Sequence, residues 1–196
     1  MLSDIIDFAP VIFVSIASLL LLLQANWRWS IIALSLQYIA VFWMVLSVWP
    51  VGLAAVKLVT GWMAGAVLGA SITGEEGLRI SFKEIFQELR FRFVLGLLII
   101  LFVFLISPRI NNLLPIPTPF LIGGGVLIGM GLLQIGLTNE PLRIVLGLLT
   151  FLSGFEVYYA FIERSVMVAG FLSIITLGIA LMGAYLLNLQ NKGTSE

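Results

Sequence analysis

Residues 31–72 read IIALSLQYIAVFWMVLSVWPVGLAAVKLVTGWMAGAVLGASI, and Lys57 is the one charged residue among them. A transmembrane helix needs about 20 predominantly apolar residues to cross a hydrocarbon core of ~30 Å. This stretch holds two such lengths, Ile31–Trp49 and Val51–Ile72, split only by Pro50. Proline lacks an N–H and disfavours helix in the residue before it, so Pro50 predicts a tight turn between two spans.

The rest of the chain continues the pattern. Further apolar stretches run over Phe8–Leu23, Phe93–Ser107, Phe120–Leu137, Ile144–Ile162 and Val166–Leu187. Across all 196 residues, 61% are hydrophobic and 10% charged, where soluble domains average roughly 45–50% and about 25%. The expected fold is therefore all-α, a polytopic transmembrane bundle of about seven helices. No positive n-region precedes the first stretch, since Asp4 and Asp7 stand there, so it reads as a retained helix rather than a signal peptide.

Composition excludes several chemistries. With no Cys there are no disulfides, thiolate nucleophiles or cysteinyl metal sites, and with no His there is no imidazole ligand or shuttle. Ten basic residues balance ten acidic ones, which leaves no nucleic-acid footprint. No carboxylate dyad, nucleophile–base pair or metal-ligand cluster is visible, so no cofactor, no metal and no catalytic activity of its own are expected. The expected partner is the lipid bilayer.

Lys and Arg favour cytoplasmic loops. With seven spans, Arg28, Arg79, Lys83, Arg90, Arg92, Arg143 and Lys192 fall on one side, against Arg109 and Arg164 on the other. That asymmetry puts the N-terminus outside and the C-terminus in the cytoplasm or its equivalent. The largest loop on the basic side is Thr73–Arg92. In it Ser81 and Glu84 have capping-box spacing, and Phe82, Ile85, Phe86, Leu89 and Phe93 recur at helical intervals. Glu88 and Arg92 would pair at i,i+4. An interfacial amphipathic helix over 81–92 is expected. Pro108, Pro115, Pro117 and Pro119 then mark a boundary, giving an N-terminal four-helix segment, 1–107, and a C-terminal three-helix segment, 108–196. Trp27, Trp29 and Trp49 are expected as interfacial anchors. No repeat relating the two halves is evident.

Of the twenty charges, two fall inside a span. A charge at mid-membrane costs roughly 2.5–3.5 kcal/mol on insertion scales and asks for a partner or a purpose. Lys57 lies six residues after Val51 and Glu156 six residues before Ile162, so each is ~9 Å below the outer boundary at about 1.5 Å per residue. The equal depths predict that they approach each other. Two uses stay open, a proton or ion relay and a neutralised pair that fixes helix register; a third possibility has Lys57 snorkelling to headgroups. Tyr158 and Tyr159 flank Glu156 as candidate hydrogen-bond donors and relay members. Gly61, Gly65 and Gly69 recur every four residues after Lys57, and Gly147 and Gly154 share a face of the sixth span; such small-residue stripes let helices approach closely.

The segment Asn139-Glu140-Pro141-Leu142-Arg143-Ile144-Val145-Leu146-Gly147, followed by Phe151-Leu152-Ser153-Gly154 and Glu156, resembles the helix entry of the small membrane subunits of complex I-like machines. These are the K subunit of NADH dehydrogenase, the C subunit of Mrp-type antiporters and the E subunit of hydrogenase-4. Length, seven spans, Arg28-Trp29-Ser30 and Lys57 are most similar to the hydrogenase-4 type. The resemblance implies a non-catalytic membrane subunit of a proton-translocating assembly, beside antiporter-like subunits, in a cell inner membrane or a thylakoid-type energy-converting membrane. It has departures. Leu149 stands where complex I K subunits carry a glutamate, and Val166–Leu187 contains no acid, so their two-carboxylate path is not reproduced. The alternative is a stand-alone small multi-pass transporter or other membrane protein.

Overall fold

The computed structural model describes residues 2–24, 26–72, 82–111, 116–163 and 165–193, with side chains for 8–24, 26–72, 89–111, 116–163 and 165–189. Seven helices follow in order: α1 (Leu2–Leu23), α2 (Trp27–Leu46), α3 (Val51–Ser71), α4 (Phe82–Asn111), α5 (Thr118–Gly136), α6 (Pro141–Ile162) and α7 (Val166–Gly193). No strand occurs among the described residues. Six of the helices, α2 to α7, are long and apolar enough to cross a membrane, and the apolar part of α1, Phe8–Leu23, is shorter.

Proline sets several boundaries. Pro50 is the N-cap of α3 and Pro117 that of α5, while Pro141 opens α6. At the first turn a missing N–H costs nothing, because those donors have no helical acceptor anyway. Ahead of Pro50 the chain leaves the helix after Leu46 in a short turn, with Trp49 N–H bonding back to Val45 O at 2.9 Å.

The fourth span differs from the sequence expectation. Residues 82–92 and the apolar stretch after them form one unbroken helix, and its membrane-length portion is Leu89–Asn111. Pro108 lies inside its last turn, so the expected division at residue 107 falls within a helix. A proline so near a C-terminus removes a single bond and leaves the earlier turns intact. The capping box at Ser81 and Glu84 and the Glu88 side chain lie outside the described residues.

The packing order is simple. α1, α2 and α3 lie side by side as one row, and α5, α6 and α7 as another. The rows stack with α1 on α5, α2 on α6 and α3 on α7. α4 belongs to neither row and leans on α5 and α1 from outside.

Two apolar clusters fill the seam between rows. Toward the α2–α3 turn it holds Val14, Val41, Trp49, Ala54, Val157, Ala160 and Ala169; toward the other end it holds Leu34, Leu68, Leu146, Leu149, Ala180 and Leu187. The same interior also buries polar side chains: Ser18, Gln37, Lys57, Thr60, Thr150, Ser153, Glu156, Ser173 and Thr176. Most hydroxyls in it donate to the carbonyl four residues earlier, as Ser18 does to Val14 O and Ser153 to Leu149 O, both at 2.8 Å. Their protons are thereby committed to the helix backbone.

Candidate functional site

Helices α2, α3, α7 and α6 form a square, with α3 and α6 on one diagonal and α2 and α7 on the other. Lys57 reaches along the first diagonal from α3. Its Nζ lies 2.5 Å from Glu156 Oε1 on α6, and both residues are 2% exposed. The equal depths inferred from helix ends therefore meet in space, and Lys57 is turned into the bundle rather than out to headgroups.

The other diagonal supplies the walls. Thr176 of α7 places Oγ1 3.4 Å from the same Glu156 oxygen and 3.0 Å from Leu172 O. From α2, the Tyr38 ring covers Gly61, where a Cβ would fall on the ring itself. The Tyr38 hydroxyl interacts with Ser153 and lies within electrostatic range of Glu156. One turn further along, Gln37 Nε2 donates to Thr150 Oγ1 at 3.3 Å.

Both ends of the square are closed by apolar or bonded groups. Above the pair, Trp49 donates its indole N–H to Ala160 O at 3.1 Å, across the seam. Ala160 lies in the last turn of α6, where carbonyls lack helical donors, so the indole satisfies one of them. Trp49 is 4% exposed. It is a seam residue, which corrects its reading as an interfacial anchor; Trp29, by contrast, is exposed.

The remaining expected site residues fall elsewhere. Tyr158 does not touch Glu156: its hydroxyl donates to Leu121 O of α5 at 2.7 Å. The Tyr159 hydroxyl is buried and has no hydrogen-bond partner among the described residues. Neither tyrosine joins the pair. The tyrosine that does stand beside it is Tyr38, which sequence reasoning misses, as it misses Thr176. Each glycine stripe serves its own contact. Gly61, Gly65 and Gly69 face α2, and Gly147 and Gly154 face α5. Arg143 pairs with Glu140 at 2.7 Å, at the exposed entrance of α6.

This arrangement can hold one positive charge against one negative charge in a place with little water. Two unit charges in such surroundings attract more strongly than at a surface, yet desolvating them costs several kcal/mol per ion. Comparison of the chain with protein-family models, with curated proteins and with solved structures finds no match.

Proposed function

We propose that this chain is a non-catalytic membrane subunit of a proton-translocating assembly of the complex I, hydrogenase or antiporter type. The observation that carries the reading is the buried Lys57–Glu156 pair between the two rows. Ionisable groups inside a membrane are expensive and tend to mark proton or ion paths, and a chain without Cys or His brings no thiolate or imidazole redox ligands of its own. In this reading Lys57 and Glu156 form a polar axis continued by partner subunits. The helix-entry segment around Arg143 and Gly147 would dock beside antiporter-like subunits. The basic loops face the cytoplasm, with the N-terminus outside, in an inner or thylakoid-type membrane.

Purification under native conditions tests it. Recovery with large antiporter-like or hydrogenase-like subunits supports the reading, and recovery of the chain alone sinks it. Within such an assembly, Lys57→Ala and Glu156→Gln are each expected to lower proton-coupled turnover at least ten-fold without loss of the chain from the complex. Normal turnover would leave the pair a purely structural role.

One observation favours a second reading, a stand-alone transporter. Transporter sites commonly lie between two packed units of the fold, and the pair here bridges two stacked three-helix rows. Flux across vesicles containing this chain alone would select that reading.

A further inference from the structure

The Lys57–Glu156 pair is walled unevenly. Toward the start of α6 at Pro141, Glu156 is about 22 Å from the helix end at 1.5 Å per residue. Leu34, Leu68, Leu146 and Leu149, each 0% exposed, fill that way as one apolar cluster. Toward Ile162 the helix end is only ~9 Å off. Here the other three walls thin out. Ala54 of α3, Ala160 of α6 and Ala169 of α7 each lie within three residues of their helix ends. Trp49 is the largest side chain in the cluster that contains these alanines.

Trp49 belongs to neither α2 nor α3 but to the turn of residues 47–50 between them. Its backbone N–H is held by Val45 O at 2.9 Å, so the ring can turn about its own side-chain bonds while the turn stays in place. Among the described residues, one hydrogen bond ties the ring to α6, from the indole N–H to Ala160 O at 3.1 Å. Ala160 is four residues past Glu156, one helical turn nearer the end on the same face. The indole therefore stands between the carboxylate and the near end of the bundle. It has two acceptable homes. Tryptophan is at ease at a membrane–water interface, and packing on protein rather than lipid brings little hydrophobic gain inside a bilayer. Ala160 O, near a helix end, can take water in place of the indole.

We infer that Trp49 is the gate of the Lys57–Glu156 pair. With the indole on α6 the pair is shut off from water; with the indole turned out to the interface, water reaches Glu156 from the α2–α3 end, past Ala54 and Ala160. The leucine cluster keeps the other end closed in both states. Access to the pair is thus one-sided and depends on a single side chain. This rests on the reading of the pair as a working site rather than a purely structural one, and not on membership of an assembly.

The chain has no cysteine, so single cysteines report water access without interference. A charged methanethiosulfonate reacts with the thiolate and needs water at the sulfur. Val157 and Val145 are both buried on α6, one in each apolar cluster, at similar distances from opposite helix ends. Val157→Cys and Val145→Cys are compared in the purified full chain in detergent, where the reagent meets both ends. Adding Trp49→Phe, which keeps a ring and removes the N–H, is expected to speed labelling at 157 about five-fold, the share of one hydrogen bond. Trp49→Ala, which removes the ring as well, is expected to speed it about ten-fold or more. Labelling at 145 is expected to stay unchanged in both. If Trp49→Ala does not fold, Trp49→Phe decides. An unchanged rate at 157, or a parallel rise at 145, overturns the gate. Either result would leave subunit membership untouched, whereas isolation of the chain alone would remove membership and leave the gate standing.

Discussion

Lys57 and Glu156 are coupled so closely that neither is interpretable alone. Removing one partner of a buried pair leaves the other charge without compensation, at a cost of about 3–5 kcal/mol, while replacing both by apolar side chains of similar volume is often neutral or stabilising. Lys57→Met and Glu156→Met are therefore each expected to lower thermal stability, and the double variant to recover most of the loss or exceed wild type. A double-mutant cycle on melting curves checks this; additive losses would show that the two do not act as a pair. Their meeting is legible in the sequence because two charges of twenty lie inside spans and both can be measured from a helix end. Which tyrosine stands beside them is less legible, although helix geometry contains part of the answer. At 100° per residue, Tyr158 points about 200° away from Glu156 and so faces α5 instead. Thr176 and Tyr38 carry no such signal. Hydroxyls are common in apolar helices, and which of them meets Glu156 depends on where α2 and α7 stand.

At the scale of helices, the close packing of α5 on α6 is set by backbone meeting backbone. A Cβ at Gly131 would lie 2.5 Å from Phe151 N and 2.7 Å from Gly147 O, and one at Gly154 would lie 2.6 Å from Gly124 O. At both positions the nearest atom is backbone, which cannot give way as a side chain could, so adding a methyl group must move a helix. Overpacking of this kind typically costs about 1–3 kcal/mol. Gly131→Ala is expected to lower the melting temperature clearly, while Gly136→Ala, with nothing within 4 Å of its Cβ, is expected to be neutral or slightly stabilising, since alanine is the better helix former. Equal behaviour of the two variants in a thermal melt would refute the close contact. The stripes at Gly61 and Gly147 are legible from four- and seven-residue spacing, but their partners are not, because spacing defines a face and not what lies against it. The fourth span escapes the sequence for a related reason. Charged and aromatic residues up to Arg92 suggest an interfacial segment, yet nothing between residues 82 and 107 forbids a continuous helix, and α4 forms one.

For the molecule as a whole, the stacking of α1, α2 and α3 on α5, α6 and α7 explains why the buried polar side chains lie where they do. Each row alone would present its buried face to lipid, and Glu156, Thr150 and Gln37 would then be polar groups in hydrocarbon, which costs several kcal/mol each without partners. Stacking places Gln37 against Thr150 and Lys57 against Glu156, so the rows satisfy each other. Equal depths announce the Lys57–Glu156 meeting, but no residue pattern announces Gln37 against Thr150, 113 positions apart. The stacking makes a direct prediction at the α3–α7 contact, where a Cβ at Gly183 would lie 3.0 Å from Leu68 Cδ2. Disulfides form between Cβ atoms about 3.5–4.5 Å apart, and the chain contains no cysteine to compete. In Leu68→Cys/Gly183→Cys/Val145→Ala, shorter side chains replace Leu68 and Val145, whose atoms would lie 3.0 and 2.8 Å from the new Cβ, and make room for the cysteine at 183. Mild oxidation in membranes, or a mercuric ion bridging the two thiols, is expected to link them within one chain. With a protease site inserted between residues 73 and 80, cleavage would leave the linked halves running as one band without reductant and as two with it. Two bands without reductant under both oxidation and mercury treatment would mean that α3 and α7 do not stack, and the square around Lys57 and Glu156 would lose one of its sides.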